Sequence, residues 1–416
     1  MRREDCVRTW DLASFIAVSL AAASGCGSSS PVEQDAGVPP EGLAEYDSTA
    51  TLLRGPWLTP AGPGAIVVSW STDQPARSRV EYGPDPAYGT AAHGTVAQPA
   101  PEGPAEPATA GWQHRVTLTG LAEDTAYRYR VVSLAVPTAD ATLRTPGAAD
   151  GSFGFTLMGD VRTGDDEHQH VVDAILLDAP QLVLHTGDLT AVGMDESLWT
   201  TFFAIEAPLL ASAAFLPVYG NHEDLLGRTL FDTYFPPPPG ARSPRTYSAD
   251  WGGVHVSVID SYQSTLADEA LWLDQDLATS AAQAARLRVV ALHAPLYTFS
   301  SHAPDLAARA TLGPVIKARD VALVVAGHNH LYERFFVDGV HHVVTGGGGA
   351  PLYGADLSVI VDEAGLERAA ASQHHYVNVQ VDAAGFRFEA RPVPADAPLD
   401  CFVIDPQRPG AELPCT

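Results

Sequence analysis

Hydrophobic and polar positions change their rhythm along this chain. Between residues 51 and 147, short runs such as AIVVSWST (65–72), SRVEYG (78–83), HRVTLTGL (114–121) and YRYRVVSL (127–134) are rich in β-branched and aromatic residues, with Pro, Gly and Asp between them. No helical period links these runs, so they predict short strands and an all-β unit. The Pro-, Ala- and Glu-rich text between 97 and 109 predicts a long exposed loop. From residue 151, apolar runs alternate with helix-length stretches: GFTLMGD with HQHVVDAILLDA, QLVLHTGD with ESLWTTFFAIEA, VHVSVID with DEALWLDQDLATS, and RLRVVALH with DLAARATLGPVIKA. Near-continuous apolar strands alternating with helices predict buried sheets in an α/β layered domain. VDGVHHVVTGGGG and YVNVQVDAAGFRFEARPV close the series as β-hairpins.

The first 50 residues follow neither pattern. A charged MRREDCVRTWDL precedes an apolar run of about fourteen residues, ASFIAVSLAAASGC, too short to span a bilayer comfortably and suited to a signal h-region. Small residues before Cys26, then a Ser/Pro/Gly-rich segment, resemble a bacterial lipoprotein signal. That reading makes 1–25 a signal peptide, puts a lipid on Cys26 as the chain's contact with a membrane, and leaves 26–50 as a linker. The chain is then exported, to the bacterial cell envelope (outer membrane or periplasm) as a lipoprotein or as a secreted protein; a retained anchor is the third alternative. In an exported protein, the two cysteines that bracket the tail, Cys401 and Cys415, have a disulfide as their default reading. No C-x-x-C spacing points to zinc.

The 416 residues predict two or three domains, and 46% hydrophobic against 18% charged residues is a globular balance. The net charge of −26 argues against nucleic acid as a partner. It leaves an anionic substrate open, because a metal ion reverses the local field.

Candidate chemistry sits just past the apolar strands. Asp160, Asp188, Asn221, His222, His293, His328 and His330 all fall there. The carboxyl ends of strands in α/β sheets are where ligands bind. A single Asp after a strand is most often a helix cap; five successive strand ends carrying Asp, Asn or His are not explained by capping. The ordered set GD…GD…GNHE…H…GHNH is similar to the calcineurin-like metallophosphoesterase superfamily. GHNHLYER, HAPLY and the preceding β unit, with Trp70 and the phrase formed by Leu121, Asp124, Thr125 and Tyr127, resemble its purple acid phosphatase-like members with a fibronectin type III-like domain. The resemblance implies an all-β sandwich over 51–147, then a four-layer α/β phosphoesterase domain over 151–395, a β-sandwich flanked by helices, and a tail over 396–416.

It also implies a dinuclear centre of divalent or trivalent ions, Fe, Zn or Mn, hydrolysing a small phosphoester through a metal-bound hydroxide. Asp188 would bridge the two ions, Asp160 and His330 would serve the first, and Asn221, His293 and His328 the second. His222 would act on the phosphate or the leaving oxygen, and His302 would face substrate. Residues two apart at a strand end project to one side, so His328 and His330 would point together with Asn329 turned away. Glu333 and Arg334 read as a supporting pair, His185 as a buried hydrogen-bonded residue, and His341, His342, His374 and His375 as structural. Gly346–Gly349 reads as a close backbone approach, since it lacks the Lys-Ser/Thr of a phosphate-binding P-loop.

Two positions depart from the pattern. Where many superfamily members have Asp-x-His, this chain has Asp160-Val161-Arg162, and guanidinium cannot ligate a metal. Where purple acid phosphatases carry a tyrosine three residues after the bridging Asp, Ala191 stands. A tyrosinate–iron(III) colour is therefore not expected, water or His168 or His170 is left to complete the first site, and Arg162 becomes a candidate for binding a phosphate oxygen. The expected activity is phosphomonoester hydrolysis. The alternatives are a phosphodiesterase or nucleotidase, and a catalytically weak surface-binding protein.

Overall fold

The computed structural model describes residues 43–97, 110–225, 229–238, 240–262, 265–354, 365–408 and 410–415. The signal segment, Cys26, most of the linker and the 98–109 loop lie outside the described residues.

Eight strands come first: β1 (Leu52–Pro60), β2 (Ile66–Thr72), β3 (Arg79–Gly83), β4 (Thr90–His93), β5 (Thr95–Ala97), β6 (Trp112–Leu118), β7 (Ala126–Val131) and β8 (Ala141–Arg144). Alternating burial along β2, β6 and β7 buries Val68, Trp70, Val116, Tyr129 and Val131 between the sheets β1-β2-β6-β5 and β4-β3-β7-β8. Residues 43–50, read as linker, instead begin this unit. Leu43–Tyr46 form a 3₁₀ turn, Ala50 is buried, and Asp47 pairs with Arg77.

The layered part follows as β9 (Phe153–Met158), α1 (Asp165–Asp178), β10 (Leu182–His185), α2 (Glu196–Leu210), β11 (Ala214–Pro217), α3 (Phe231–Tyr234), β12 (Tyr247–Trp251), β13 (Val254–Val258), α4 (Leu266–Leu277), α5 (Ser280–Ala284), β14 (Leu287–Ala291), α6 (Leu306–Ala318), β15 (Leu323–Ala326), β16 (Tyr332–Val337), β17 (Val340–Thr345), β18 (Glu367–Ala371), β19 (His375–Asp382), β20 (Gly385–Pro392), β21 (Asp400–Ile404) and β22 (Leu413–Pro414). One sheet has the order β22-β21-β20-β19-β9-β10-β11-β1-β2-β6-β5 and a second β12-β13-β14-β15-β17-β16-β18. Three apolar clusters define the layers: Leu157, Leu184, Leu216, Val256, Val289 and Val325 lie between the sheets. Val171, Ile175, Phe202 and Phe203 of α1 and α2 cover the first sheet. Leu273, Leu312 and Ile316 of α4 and α6 cover the second. This is the expected four-layer α/β arrangement.

The two halves share a sheet, which the pattern along the chain does not reveal. β1 runs parallel to β11 with Leu58 opposite Ala214. Trp57 packs on Phe203 at a ring distance of 4.9 Å, Arg54 bonds Glu196 and Thr200 of α2, and the Tyr129 hydroxyl donates to the Ala211 carbonyl at 2.8 Å. The tail is likewise built in: β21 and β22 extend the first sheet, Cys401 and Cys415 form a disulfide, and Asp400 receives Arg334 and the Tyr332 hydroxyl. Glu333 and Arg334 are therefore not partners of each other. As neighbours on a strand they face opposite ways: Arg334 holds the tail through Asp400 and Glu412, while Glu333 accepts Thr298 Oγ1 at 2.6 Å and the Phe299 amide at 2.8 Å.

His255 on β13 is buried between Asp250 Oδ1 at 2.7 Å and Asp276 Oδ2 of α4 at 3.0 Å. Burial opposes its protonation, but the hydrogen bonds and charges of the two carboxylates raise its pKa to about 9, while Asp276 is held below the usual range despite its own burial, chiefly by His255. A raised histidine contributes stability in full below its unfolded value of 6.5 and loses it as pH rises through about 9. Unfolding in urea should therefore show wild type weaker at pH ~9.5 than at pH ~6 by on the order of 2 kcal/mol from this group. His255→Gln should flatten that difference.

Candidate metal centre

The centre forms where strands of both sheets end. Asp160 follows β9, Asp188 follows β10, Asn221 and His222 follow β11, His293 follows β14, and His328 and His330 follow β15. Asp160, Asp188 and His328 have φ of 58°, 55° and 68°, so the chain reverses sharply as each strand stops. Left-handed backbone at non-glycine residues is costly and clusters at functional sites. Two motif glycines make room for the carboxylates: a Cβ on Gly220 would lie 2.3 Å from Asp188 Oδ1, and one on Gly327 2.3 Å from Asp160 Oδ2. Gly346 plays the same part against the Asn329 carbonyl and Asp160, the close approach expected of the glycine run.

Strand alternation is not what orients His328 and His330, because both lie in the turn beyond β15. The His328 amide donates to both oxygens of Asp160 at 3.0 Å, and Asn329 is turned away as expected, its amide group holding Thr298 Oγ1 and the His302 backbone.

Donor atoms of Asp160, Asp188 and His293 lie within 4.8 Å of one another. His293 donates Nδ1–H to the Thr186 carbonyl at 2.7 Å, which leaves its Nε2 lone pair facing Asp188 Oδ1 at 3.3 Å and Asn221 Oδ1 at 3.1 Å. Three acceptor lone pairs converge there, and only a proton or a cation reconciles them. The electrostatics agree. Burial works against charge on His293, yet the Asp188 carboxylate lifts its pKa to about 9. Burial likewise works against ionising Asp188, and His293 with His222 holds it low. Asp160 is pushed up to about 8, by burial first and by the Asp188 charge, with His293 and Arg162 opposing. Burial lowers His328 to about 3 and His330 to about 4, so both present neutral imidazoles, the ligating form. Asp188 and His293, with Asn221 Oδ1 3.1 Å from His293 Nε2 and the His328 ring 5.1 Å from that of His293, thus fit a cation.

The residues expected to serve a first metal, Asp160 and His330, are arranged differently. His330 gives Nδ1–H to the Pro351 carbonyl at 2.7 Å and its Nε2 is 3.6 Å from Asp160 Oδ1. Arg162 reaches between them and Asp188, donating Nε–H to Asp188 Oδ2 at 3.1 Å and Nη2–H to His330 Nε2 at 3.4 Å. His168 is not an available ligand: it is buried on α1 and bonds Glu206 at 2.8 Å, and His170 is exposed on the same helix. The carbonyl of Ala191 accepts His222 Nδ1–H at 2.8 Å, leaving His222 Nε2 3.9 Å from Asp188 Oδ2. His302 lies at the rim, exposed, its ring 4.3 Å from His328 and 5.4 Å from Tyr353. His185, His341, His342 and His375 are buried among apolar or aromatic residues, with His185 accepting the Gly187 amide.

Sequence reasoning missed three residues here. Glu223, the last letter of GNHE, accepts the amides of Asp188, Gly220 and Thr190 at 3.0, 2.8 and 3.1 Å and so ties two site loops together. Tyr353 stacks on His330 at 4.0 Å. The Tyr262 hydroxyl is buried without a hydrogen-bond partner among the described residues, its ring 6.0 Å from His293. Only Glu223 carried a signal, its place beside Asn221 and His222.

Two packed sheets with carboxylates and imidazoles at their strand ends make a site suited to a metal ion. Residues 153–332 match the family described as calcineurin-like phosphoesterase, and 55–145 match the purple acid phosphatase N-terminal domain. A phosphoenolpyruvate phosphatase of Allium cepa is 25% identical over 78% of this chain and 71% of its own. Probable purple acid phosphatase 20 of Arabidopsis thaliana is 25% identical over 66% and 67%. Among solved structures, yellow lupin purple acid phosphatase PPD1 superposes with a TM-score of 0.72 at 19% identity, covering 84% of this chain and 74% of that one; a structure of PhoD gives 0.65 at 14%, covering 91% and 94%. The chain thus carries a calcineurin-like phosphoesterase domain behind a purple acid phosphatase N-terminal domain, and is similar to the purple acid phosphatase-like metallophosphoesterases. That family works with a dinuclear metal centre.

Removing the Glu223 carboxylate tests how far the centre depends on it. Glu223→Ala leaves three amides without an acceptor and should lower stability by roughly 3 kcal/mol, read by urea unfolding. Glu223→Gln, which keeps one acceptor oxygen, should recover a good part of the loss.

Proposed function

We propose that this chain hydrolyses phosphomonoesters at the Asp188 centre. The observation that carries the proposal is the convergence of Asp188, Asn221 and His293 lone pairs at 3.1–3.3 Å beside neutral His328. A metal held by these four residues would supply Lewis-acid charge to phosphoryl oxygens and acidify a water. Carboxylate, amide oxygen and imidazole together suit Fe, Zn or Mn.

The chain's own groups complete the chemistry. His222 has Nδ1 engaged by the Ala191 carbonyl, so Nε2 is the atom that faces the site. Because Nδ1–H is already given to the Ala191 carbonyl, donation from Nε2 to the phosphate or to the departing oxygen is the work of the doubly protonated ring. His302 stands at the rim beside Tyr353, where it meets the organic part of a substrate. The phosphatase names of the Allium and Arabidopsis relatives support a small monoester as substrate.

Turnover of p-nitrophenyl phosphate by the wild-type chain should fall by roughly a hundredfold or more in Asp188→Asn. Equal turnover in the variant would sink the proposal, and faster hydrolysis of bis(p-nitrophenyl) phosphate would move it to a diesterase. The exported, lipid-bearing placement rests on the Cys26 signal pattern. Cys26→Ser should shift the protein from the detergent phase to the aqueous phase on Triton X-114 partition, and a wild type already aqueous would remove the anchor.

A further inference from the structure

Arg162 uses the lone pairs that a first metal ion would need. His330 carries its proton on Nδ1, bound to the Pro351 carbonyl, so Nε2 is an acceptor, and that acceptor is met by Arg162 Nη2–H at 3.4 Å. Asp188 Oδ2, the oxygen of the bridging residue not turned to His293, is met by Arg162 Nε–H at 3.1 Å. The Arg162 side chain is 15% exposed, and its charge acts on Asp160, the remaining donor of that position. A guanidinium is always protonated, has no lone pair to share and repels a cation. The two residues that would strengthen a first-metal site are also missing: position 162 holds no histidine and position 191 no tyrosine. The second position is arranged otherwise: Asp188 Oδ1 and Asn221 Oδ1 face His293 Nε2 at 3.3 and 3.1 Å, an arrangement that a proton or a cation reconciles.

We infer that Arg162 is a built-in cation standing in for the first metal, so that the centre retains a single ion on Asp188, Asn221, His293 and His328. The inference rests on the metal-centre reading proposed above. It also assigns the guanidinium a part in the reaction. Two of its five N–H donors hold Asp188 and His330, and the others, without a hydrogen-bond partner among the described residues, can meet a phosphoryl oxygen, so that an ion and an arginine together clamp the substrate.

Metal stoichiometry decides the point. The full chain, stripped with chelator, loaded with excess Mn²⁺ and dialysed, should retain about one ion per chain by mass spectrometry and give the resonance of isolated Mn(II). Arg162→His, which restores Asp-x-His, should retain about two and show an exchange-coupled pair; Arg162→Ala provides a second variant with the guanidinium removed. Two ions on wild type would overturn the inference. So would a single ion on both variants with near-ultraviolet dichroism matching wild type. If no form of the protein retains manganese, zinc or iron, the metal-centre reading falls and the inference falls with it. One ion on wild type and two on Arg162→His, without turnover of any phosphoester, would sustain the inference while refuting the phosphatase proposal.

Discussion

The Asp188 carboxylate, held ionised in a buried pocket, is the constraint on which the rest of this molecule depends. Burying a charge is expensive unless partners meet every lone pair. Here one oxygen receives the His222 amide and faces His293, and the other receives Arg162. The backbone amide of the same residue is bound by Glu223, which also fixes Gly220 and Thr190. Four segments distant in sequence are therefore committed to one point. A small displacement of any strand end would leave a charge or an acceptor uncompensated.

That requirement explains the scaffold. Two sheets packed face to face bring β9–β11 and β14–β15 to the same end, and the helices on both outer faces keep the strands from sliding. The N-terminal sandwich does more than precede this domain. Through β1 on β11 it continues the sheet that carries Asp160, Asp188 and Asn221, and Trp57 with Arg54 braces α2. The tail acts on the other sheet, where Asp400 and the disulfided segment hold Tyr332 and Arg334 directly after the histidine turn. Asn329 and Glu333 pin the 298–302 loop that carries His302 to the rim.

Much of the fold and of the centre was legible along the chain, and for a physical reason. Strand and helix periods are local, so the alternation from β9 to β15 could be read directly. Asp160, Asp188, Asn221, His293, His328 and His330 all fall just past strand ends, so they could be singled out in advance as candidate ligands. The less legible features are those in which local rules give no answer. His328 and His330 lie in a turn that a left-handed residue opens, not on a strand whose side chains alternate. Glu333 and Arg334 are adjacent in sequence yet bind opposite parts of the fold.

By itself the sequence determined the element types, the order of the layers and the inventory of donors, because these follow from residue chemistry and short-range periodicity. Only the tertiary structure decided which lone pairs face one another. It turned the Nε2 of His293 toward Asp188 and the amide oxygen of Asn221 toward that Nε2, sent His168 to Glu206, and laid Arg162 between Asp188 and His330. Hydrogen-bond direction depends on the position of both partners to within a fraction of an ångström. Such positions are set by packing among segments more than a hundred residues apart, as between Arg162 and His330.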